Sequence, residues 1–222
     1  MPVDDRTQGV RATPIDNAPM TTRRHLVHLL LAAALAGAVP LAVAATPESP
    51  AASAAAAAAP LFQFAGKPFV HRWSHAGQHE FTPPAQPDLD KWQDMVTVQV
   101  YDKVTSAEQL AFVANGVLVA YQKAGLIIRT NSLKATAERP AEHMVVAILQ
   151  DTGVREMVFA RFRLTPEGGQ AVVYSHRVYG MQPDAAASAW FREHDLPLEK
   201  SMMTWTGIPT VAALRALPQS PS

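Results

Sequence analysis

The chain of 222 residues contains no cysteine. Disulfide bonds, thiolate metal sites and a cysteine nucleophile are therefore excluded. A lipoprotein is excluded as well, because no cysteine follows the N-terminal apolar segment to carry the lipid.

The chain also lacks an excess of charge of either sign, with 19 Lys and Arg against 19 Asp and Glu. This balance gives no reason to expect a nucleic-acid partner or an anionic membrane surface. The sequence contains neither G-x-S-x-G nor a phosphate-binding P-loop, and Gly168-Gly169 lie in a predicted hairpin turn rather than before a helix. No catalytic residue and no cofactor are predicted.

The N-terminus has the three parts of a secretory signal peptide. Arg23 and Arg24 precede an apolar run at residues 26–39, and Ala42 and Ala44 form an A-x-A cleavage site. We predict a signal peptide over residues 1–44 with cleavage after Ala44 or one residue later. The alternative is an uncleaved anchor, since residues 26–44 are nearly long enough to span a bilayer.

The segment TRRHLV at residues 22–27 is a partial twin-arginine pattern, so both general secretion and twin-arginine export stay open. The polar residues 1–19 have no structural pattern, and Met20 would open a signal peptide of ordinary length. Residues 45–60 are rich in Ala and Pro and are predicted to be a tether. The cleaved product is expected to be periplasmic without a stable membrane anchor.

Residues 61–217 are predicted to form a single α+β domain. Two main helices are expected at residues 106–124 and 184–194, and a short helix at residues 89–93 after the cap Asp88. Hairpins and tight turns dominate elsewhere, which favours one mostly antiparallel sheet of five to seven strands packed by the helices. The predicted strands cover residues 69–74, 78–82, 95–101, 126–135, 143–150, 155–164 and 170–179.

The first hairpin admits two registers. A two-residue turn at Ala76-Gly77 would put Trp73 and Phe81 on opposite faces. A three-residue loop beginning at His75 would put both aromatic residues on one face with His71 and His79, and would pair Arg72 with Glu80. We predict the second register because it is internally consistent.

The segment DLDKWQDMVTV, residues 88–98, contains the pattern W-x-x-M-V/L-T at Trp92 to Thr97. With the order hairpin, helix, antiparallel meander and closing helix, it resembles small exported bacterial proteins of unknown function with a PsbP-like α/β/α sandwich. The resemblance covers most of residues 66–205. It implies a non-enzymatic accessory or binding role and transfers no catalytic residue.

Histidines at positions 71, 75 and 79 are the candidate metal ligands. Gly77 and the extended pattern argue against the helix that would gather all three. In the predicted register His71 and His79 are diagonal neighbours, with Glu80 on the opposite face. They are either a metal pair or members of a half-buried aromatic face.

Arginines recur on the later strands and suggest a site for a carboxylate or phosphate. Arg161 and Arg163 share a face of their strand, and Arg177 could join them across the hairpin. The competing interpretation is the solvated face of an antiparallel sheet. The tryptophans are expected to be packing anchors rather than ligand platforms.

Two functions follow from these patterns. The first is an exported periplasmic module that binds an envelope protein or small ligand without chemistry. The second is a metal-dependent hydrolase using His71, His79 and Glu80. A third hypothesis is that the chain is a purely structural envelope protein.

Overall fold

The computed structural model describes residues 59–221. The predicted signal peptide, with Arg23, Arg24, Ala42 and Ala44, and nearly all of the predicted tether lie outside these residues. Within residues 59–221 no helix is both long and apolar enough to cross a membrane.

The described residues form one eight-stranded sheet with three helices. Every neighbouring pair of strands is antiparallel, in the order β1-β2-β3-β4-β8-β7-β6-β5. The elements in chain order are β1 (Phe62–Phe64), β2 (Lys67–His75), β3 (Gln78–Thr82), β4 (Asp94–Tyr101), α1 (Ala107–Ala124), β5 (Gly125–Leu133), β6 (Glu142–Asp151), β7 (Val154–Thr165), β8 (Gly168–Tyr179), α2 (Pro183–Thr204) and α3 (Val211–Arg215).

The predicted α+β class and the single antiparallel sheet are confirmed, but the sheet has eight strands rather than five to seven. Seven strands coincide with the predicted segments. The additional strand is β1, which has three residues and is too short for an alternating pattern to be recognised.

Next to its turn, the hairpin β2–β3 has the two-residue register rather than the predicted one, and beyond a bulge it returns to the predicted pairing at His71 and Val70. His75 pairs with Gln78 across a two-residue turn in which Ala76 and Gly77 both have positive φ, as in a type I′ turn. A bulge at Arg72 then shifts the pairing. The two-residue turn sets Trp73 opposite Glu80, and the extra residue Arg72 then lets His71 pair with Phe81. Arg72 donates to Thr82 and to the carbonyls of Pro83 and Pro84.

The predicted helix at residues 89–93 is a turn in which the Asp88 carboxylate accepts the amide of Asp90 at 2.8 Å. The capping box of α1 uses Ser106 and Gln109. At the other end of α1, Gly125 enters β5 directly. A Cβ there would collide with the carbonyl of Ile148, so this close approach requires glycine.

Helix α2 continues through Pro197 to Thr204, beyond the predicted end at residue 194. Proline removes one helical hydrogen bond. Leu198 and Met202 after the proline are buried and pack against the sheet, so tertiary burial holds the second half of α2 in place.

Helices cover both faces of the sheet. The α1 face buries alternate residues of the central strands, such as Val158 and Ala160, with the inner side of α1. The opposite face, the α2 face, buries the intervening residues, such as Phe159, with α2 and α3. Polar side chains on the central strands therefore point into a packed layer.

Candidate functional site

One polar cluster lies at the first residue of β4, on the α2 face. It consists of Lys67, Asp94, Tyr174 and His176, and we call it the Asp94 cluster. The Asp94 carboxylate accepts from the Tyr174 hydroxyl at 2.6 Å, from His176 Nδ1 at 2.9 Å and from Lys67 Nζ at 2.7 Å. Gln86 Nε2 is a fourth donor at 3.3 Å. Asp94 is 4% exposed, so these donors replace the water it has lost.

The sheet register assembles this cluster. Asp94 pairs directly with His176, and Tyr174 is two residues earlier on the same face of β8. Lys67 reaches in from the start of β2 and keeps 46% of its side chain exposed. The cluster therefore connects a buried carboxylate to the protein surface.

The contacts within the Asp94 cluster keep Asp94 charged and Tyr174 protonated. Burial alone would raise the pKa of Asp94, but hydrogen bonds from His176, Lys67 and Tyr174 outweigh it and hold this pKa well below its usual range. Burial and the Asp94 charge raise the pKa of Tyr174, so its hydroxyl stays a donor. His176 donates from Nδ1, and Nε2 is then the nitrogen without a proton when the ring is neutral.

A stack of three rings extends the cluster outward. The His176 ring lies 4.1 Å from the Trp190 ring at an interplanar angle of 2°, and Trp190 lies 4.6 Å from His194 at 7°. Trp190 and His194 are four residues apart on α2 and share its sheet-facing side. A carboxylate–imidazole pair can transfer protons where a substrate reaches the second ring nitrogen. Here the Trp190 ring covers one face of the imidazole.

A second polar cluster lies in the hairpin, and we call His71, Ser74 and His79 the hairpin cluster. The Ser74 hydroxyl lies 2.7 Å from His71 Nε2 and 2.7 Å from His79 Nδ1. One hydroxyl donates a single proton, so it donates to one imidazole and accepts from the other. The bulge at Arg72 makes this possible, because it turns Ser74 to the face that carries both histidines.

Two members of the hairpin cluster are closed off from solvent, and His71 is half-buried. Ser74 is fully buried and His79 is 2% exposed. The C-terminal segment adds a cover, since Ser220 donates its amide to the Ser74 carbonyl at 2.7 Å and accepts from the Ser74 amide at 3.3 Å. Burial, followed by the charge of His71, lowers the pKa of His79 to about 4.

The structure does not bring the predicted hydrolase residues together. His71 and His79 converge on Ser74, whereas Glu80 lies on the other face of β3, pairs with Trp73 and accepts from Gln78 Nε2. In residues 59–221 no group of three or more His, Asp or Glu side chains is placed to hold a metal ion.

The three predicted ligand-binding arginines do not form one strip. Arg161 and Arg163 lie on the α2 face, but Arg177 pairs with Glu156 on the α1 face because the register of β7 and β8 sets these two residues opposite each other. The buried Arg177 guanidinium also stacks on Trp92 at 3.9 Å. A small cavity beside it is lined by Asp90, Asp151, Glu156 and Tyr179, so carboxylates outnumber the guanidinium there.

Arg161 fastens α2 to the sheet. Its guanidinium forms two bonds of 2.9 Å with Glu142 and donates to the Met202 carbonyl at 2.8 Å, and it is 7% exposed. Arg163 is half-buried next to it. Burial, followed by the charge of Arg161, lowers the pKa of Arg163.

The Asp94 cluster was not predicted from the sequence, although the strand patterns contain a signal for it. Asp94 precedes Val96, Val98 and Val100 in an alternating pattern, so it occupies a core-facing position of β4. Tyr174 and His176 likewise follow Val172 at core-facing positions of β8. Polar residues that occupy core-facing positions of a strand predict hydrogen bonds inside the protein. They do not predict which residues will be the partners.

The sequence matches no protein-family model. No curated protein matches it either. Among solved structures, it is similar to PA94, a Pseudomonas aeruginosa protein of unknown function, with 13% identity and a TM-score of 0.39, covering 62% of this chain and 88% of that chain.

The Saccharomyces cerevisiae Ran-binding protein Mog1p gives 12% identity and a TM-score of 0.33, covering 61% of this chain and 82% of that chain. A Mog1 mutant gives 13% identity and a TM-score of 0.33, covering 61% and 83%. With TM-scores this low, no property of these proteins is carried over to this chain. The resemblance to PsbP-like proteins stays a prediction.

The buried His79 makes stability depend on pH. Its folded pKa of about 4 lies below the ordinary value of 6.5, so between these values the unfolded chain binds a proton that the folded chain does not. We expect the free energy of unfolding to fall by about 3 kcal/mol as the pH drops through this window. Urea denaturation of the wild type and of His79→Gln at several pH values measures it, and the decline should be much smaller in the variant.

His75→Gln is the matched control, because His75 belongs to the same hairpin but is exposed. It should retain the wild-type dependence. Parallel curves for wild type and His79→Gln would contradict the assignment.

The Asp94 cluster predicts a second stability effect. Asp94→Asn removes the charge that neutralises Lys67 and presents amide protons to Tyr174 and His176, which are themselves donors. We expect a loss of about 3 kcal/mol in unfolding free energy, measured by urea denaturation at neutral pH. Asp102→Asn breaks the exposed pair with Arg215 and should change stability by less than about 0.5 kcal/mol. Equal losses in both variants would contradict the network.

Proposed function

We propose that this chain is an exported periplasmic accessory protein that acts by binding a protein partner rather than by catalysis. The observation that carries the proposal is an exposed apolar stripe on the outer side of α1. Phe112 is 71% exposed and Val119 is 49% exposed. Contiguous apolar side chains on a surface mark interaction sites.

The stripe is not explained by packing within the chain. The inner side of α1 already buries Leu110, Val113, Val117 and Tyr121 against the sheet. Phe112 and Val119 are seven residues apart and therefore project together from the opposite side of the helix. A partner that covers Phe112 and Val119 would remove their apolar surface from water, which favours binding.

The ionisable side chains of the sheet also support the proposal, because they bind one another inside the protein. Glu142 with Arg161, Glu156 with Arg177 and the Asp94 cluster are each engaged in internal hydrogen bonds. Their contacts are those of groups that stabilise a packed layer. The surface of α1 is thus the better candidate for the functional part of the protein.

The proposed export rests on the sequence of residues 1–44. We expect the chain expressed in a Gram-negative host to accumulate in the periplasm with Ala45 or Thr46 as its first residue, as measured by fractionation and mass spectrometry. Ala44→Lys should block cleavage and leave the precursor attached to the membrane. Replacement of both Arg23 and Arg24 by lysine stops twin-arginine export but permits general secretion, so it separates the two routes. Mature-length protein that stays in the cytoplasm would contradict export.

The proposed binding surface can be tested by cross-linking in living cells. A photoreactive phenylalanine analogue in place of Phe112 should form covalent adducts on illumination, because a partner covers this side chain. Electrophoresis and mass spectrometry of the adducts measure the outcome.

Leu196 is the matched control for this cross-linking experiment. It is an apolar residue of α2 that is 69% exposed, and its neighbours on the helix surface are charged. The same analogue at this position should remain unlinked. Absence of adducts at position 112, or equal adducts at both positions, would overturn the proposed surface.

A further inference from the structure

We propose that the partner of the α1 stripe is a second copy of this chain, with the two α1 helices packed antiparallel about a two-fold axis. This inference rests on the proposed function and names its partner. Phe112 and Val119 form the α1 stripe, and Glu108, Gly116 and Lys123 lie on the same side of α1 at spacings of three and four residues.

The charges of α1 carry the argument for a second copy. The helix has two charged residues, Glu108 in its first turn and Lys123 in its last turn, and both are exposed. They are separated by about 22 Å along the axis, so they cannot pair within one helix. In an antiparallel pair of identical helices, each Glu108 meets the Lys123 of the other copy.

The apolar residues select the same register independently. A two-fold axis that passes between Asn115 and Gly116 sets Glu108 opposite Lys123. The same axis sets Phe112 opposite Val119. One placement therefore satisfies both the ion pairs and the apolar contacts, as a self-complementary two-fold interface requires.

The centre of the stripe permits the close approach of two helices. Gly116 is exposed, and a Cβ added there would meet no atom of its own chain within 4 Å. With no side chain at this position, the Phe112 rings of the two copies can pack over the helix backbone near the axis. Small residues at a helix crossing reduce the interaxial distance in this way.

The expected dimer is reversible. A single pair of helices is a small interface by the standard of about 800 Å² per partner. We therefore expect a dimer that forms at high protein concentration and dissociates on dilution. Retention in one cellular compartment by export would raise the local concentration of the chain.

The absence of cysteine makes a direct test available, because any introduced thiol is the only one. Gly116→Cys lies at the axis and should form a disulfide-linked dimer of the purified protein under mild oxidation. Lys123→Cys should remain monomeric, because its two copies are far from each other in the antiparallel register. Ala186→Cys on the exposed side of α2 is the control for random collision and should also remain monomeric.

Charge exchange tests the same register without a covalent bond. Glu108→Lys alone sets lysines opposite each other and should raise the dimer dissociation constant by about tenfold at low salt, as measured by sedimentation equilibrium. Lys123→Glu alone should act similarly. The double variant E108K/K123E restores opposite charges and should return the dissociation constant to near the wild-type value.

Dimers of Gly116→Cys with monomers of Lys123→Cys, together with rescue by the double variant, support the proposal. Dimers of Lys123→Cys would show a parallel arrangement and overturn it. Monomers of both cysteine variants, with monomeric wild type at all concentrations, also overturn it. If photo-cross-linking at Phe112 then captures a different protein, the binding function stands and the second copy is wrong.

Discussion

Burial of the sheet on both faces is the constraint on which the rest of this structure depends. An antiparallel sheet commonly leaves one face to solvent, but here α1 covers one face and α2 with α3 cover the other. Both sets of alternating side chains on the central strands therefore leave water. Each polar group among them must find a partner inside the protein.

The arginines of the later strands show how this constraint is met. Arg129 binds Asp195 and Glu199, Arg155 binds Asp184, and Arg161 reaches the Met202 carbonyl, so all three connect strands to α2. These contacts act at the start, middle and end of a helix that contains a proline. Charge on this sheet stabilises the packing of α2, and the outer side of α1 exposes Phe112 and Val119.

Sequence patterns predicted a strand or helix correctly where residues close together in the chain determine its structure. Alternation identified seven strands, and the apolar spacing at Leu110, Val113 and Val117 identified α1. The three residues of β1 fell below the length at which alternation is visible. The bulge at Arg72 was missed because an extra residue changes the phase of the strand, and only the pairing of β2 with β3 reveals it.

The sequence by itself determined the class of fold, the antiparallel hairpins, α1 and the start of α2, because these follow from periodicity over a few residues. It also places charges at the two ends of α1, and it is the sole basis for the prediction of export. Only the tertiary structure decided that Asp94 meets His176, which is 82 residues away in the chain, and that Arg177 faces Glu156 rather than Arg161. The physical reason is that strand register and helix docking place distant residues together, and no local pattern encodes which distant residue becomes the partner.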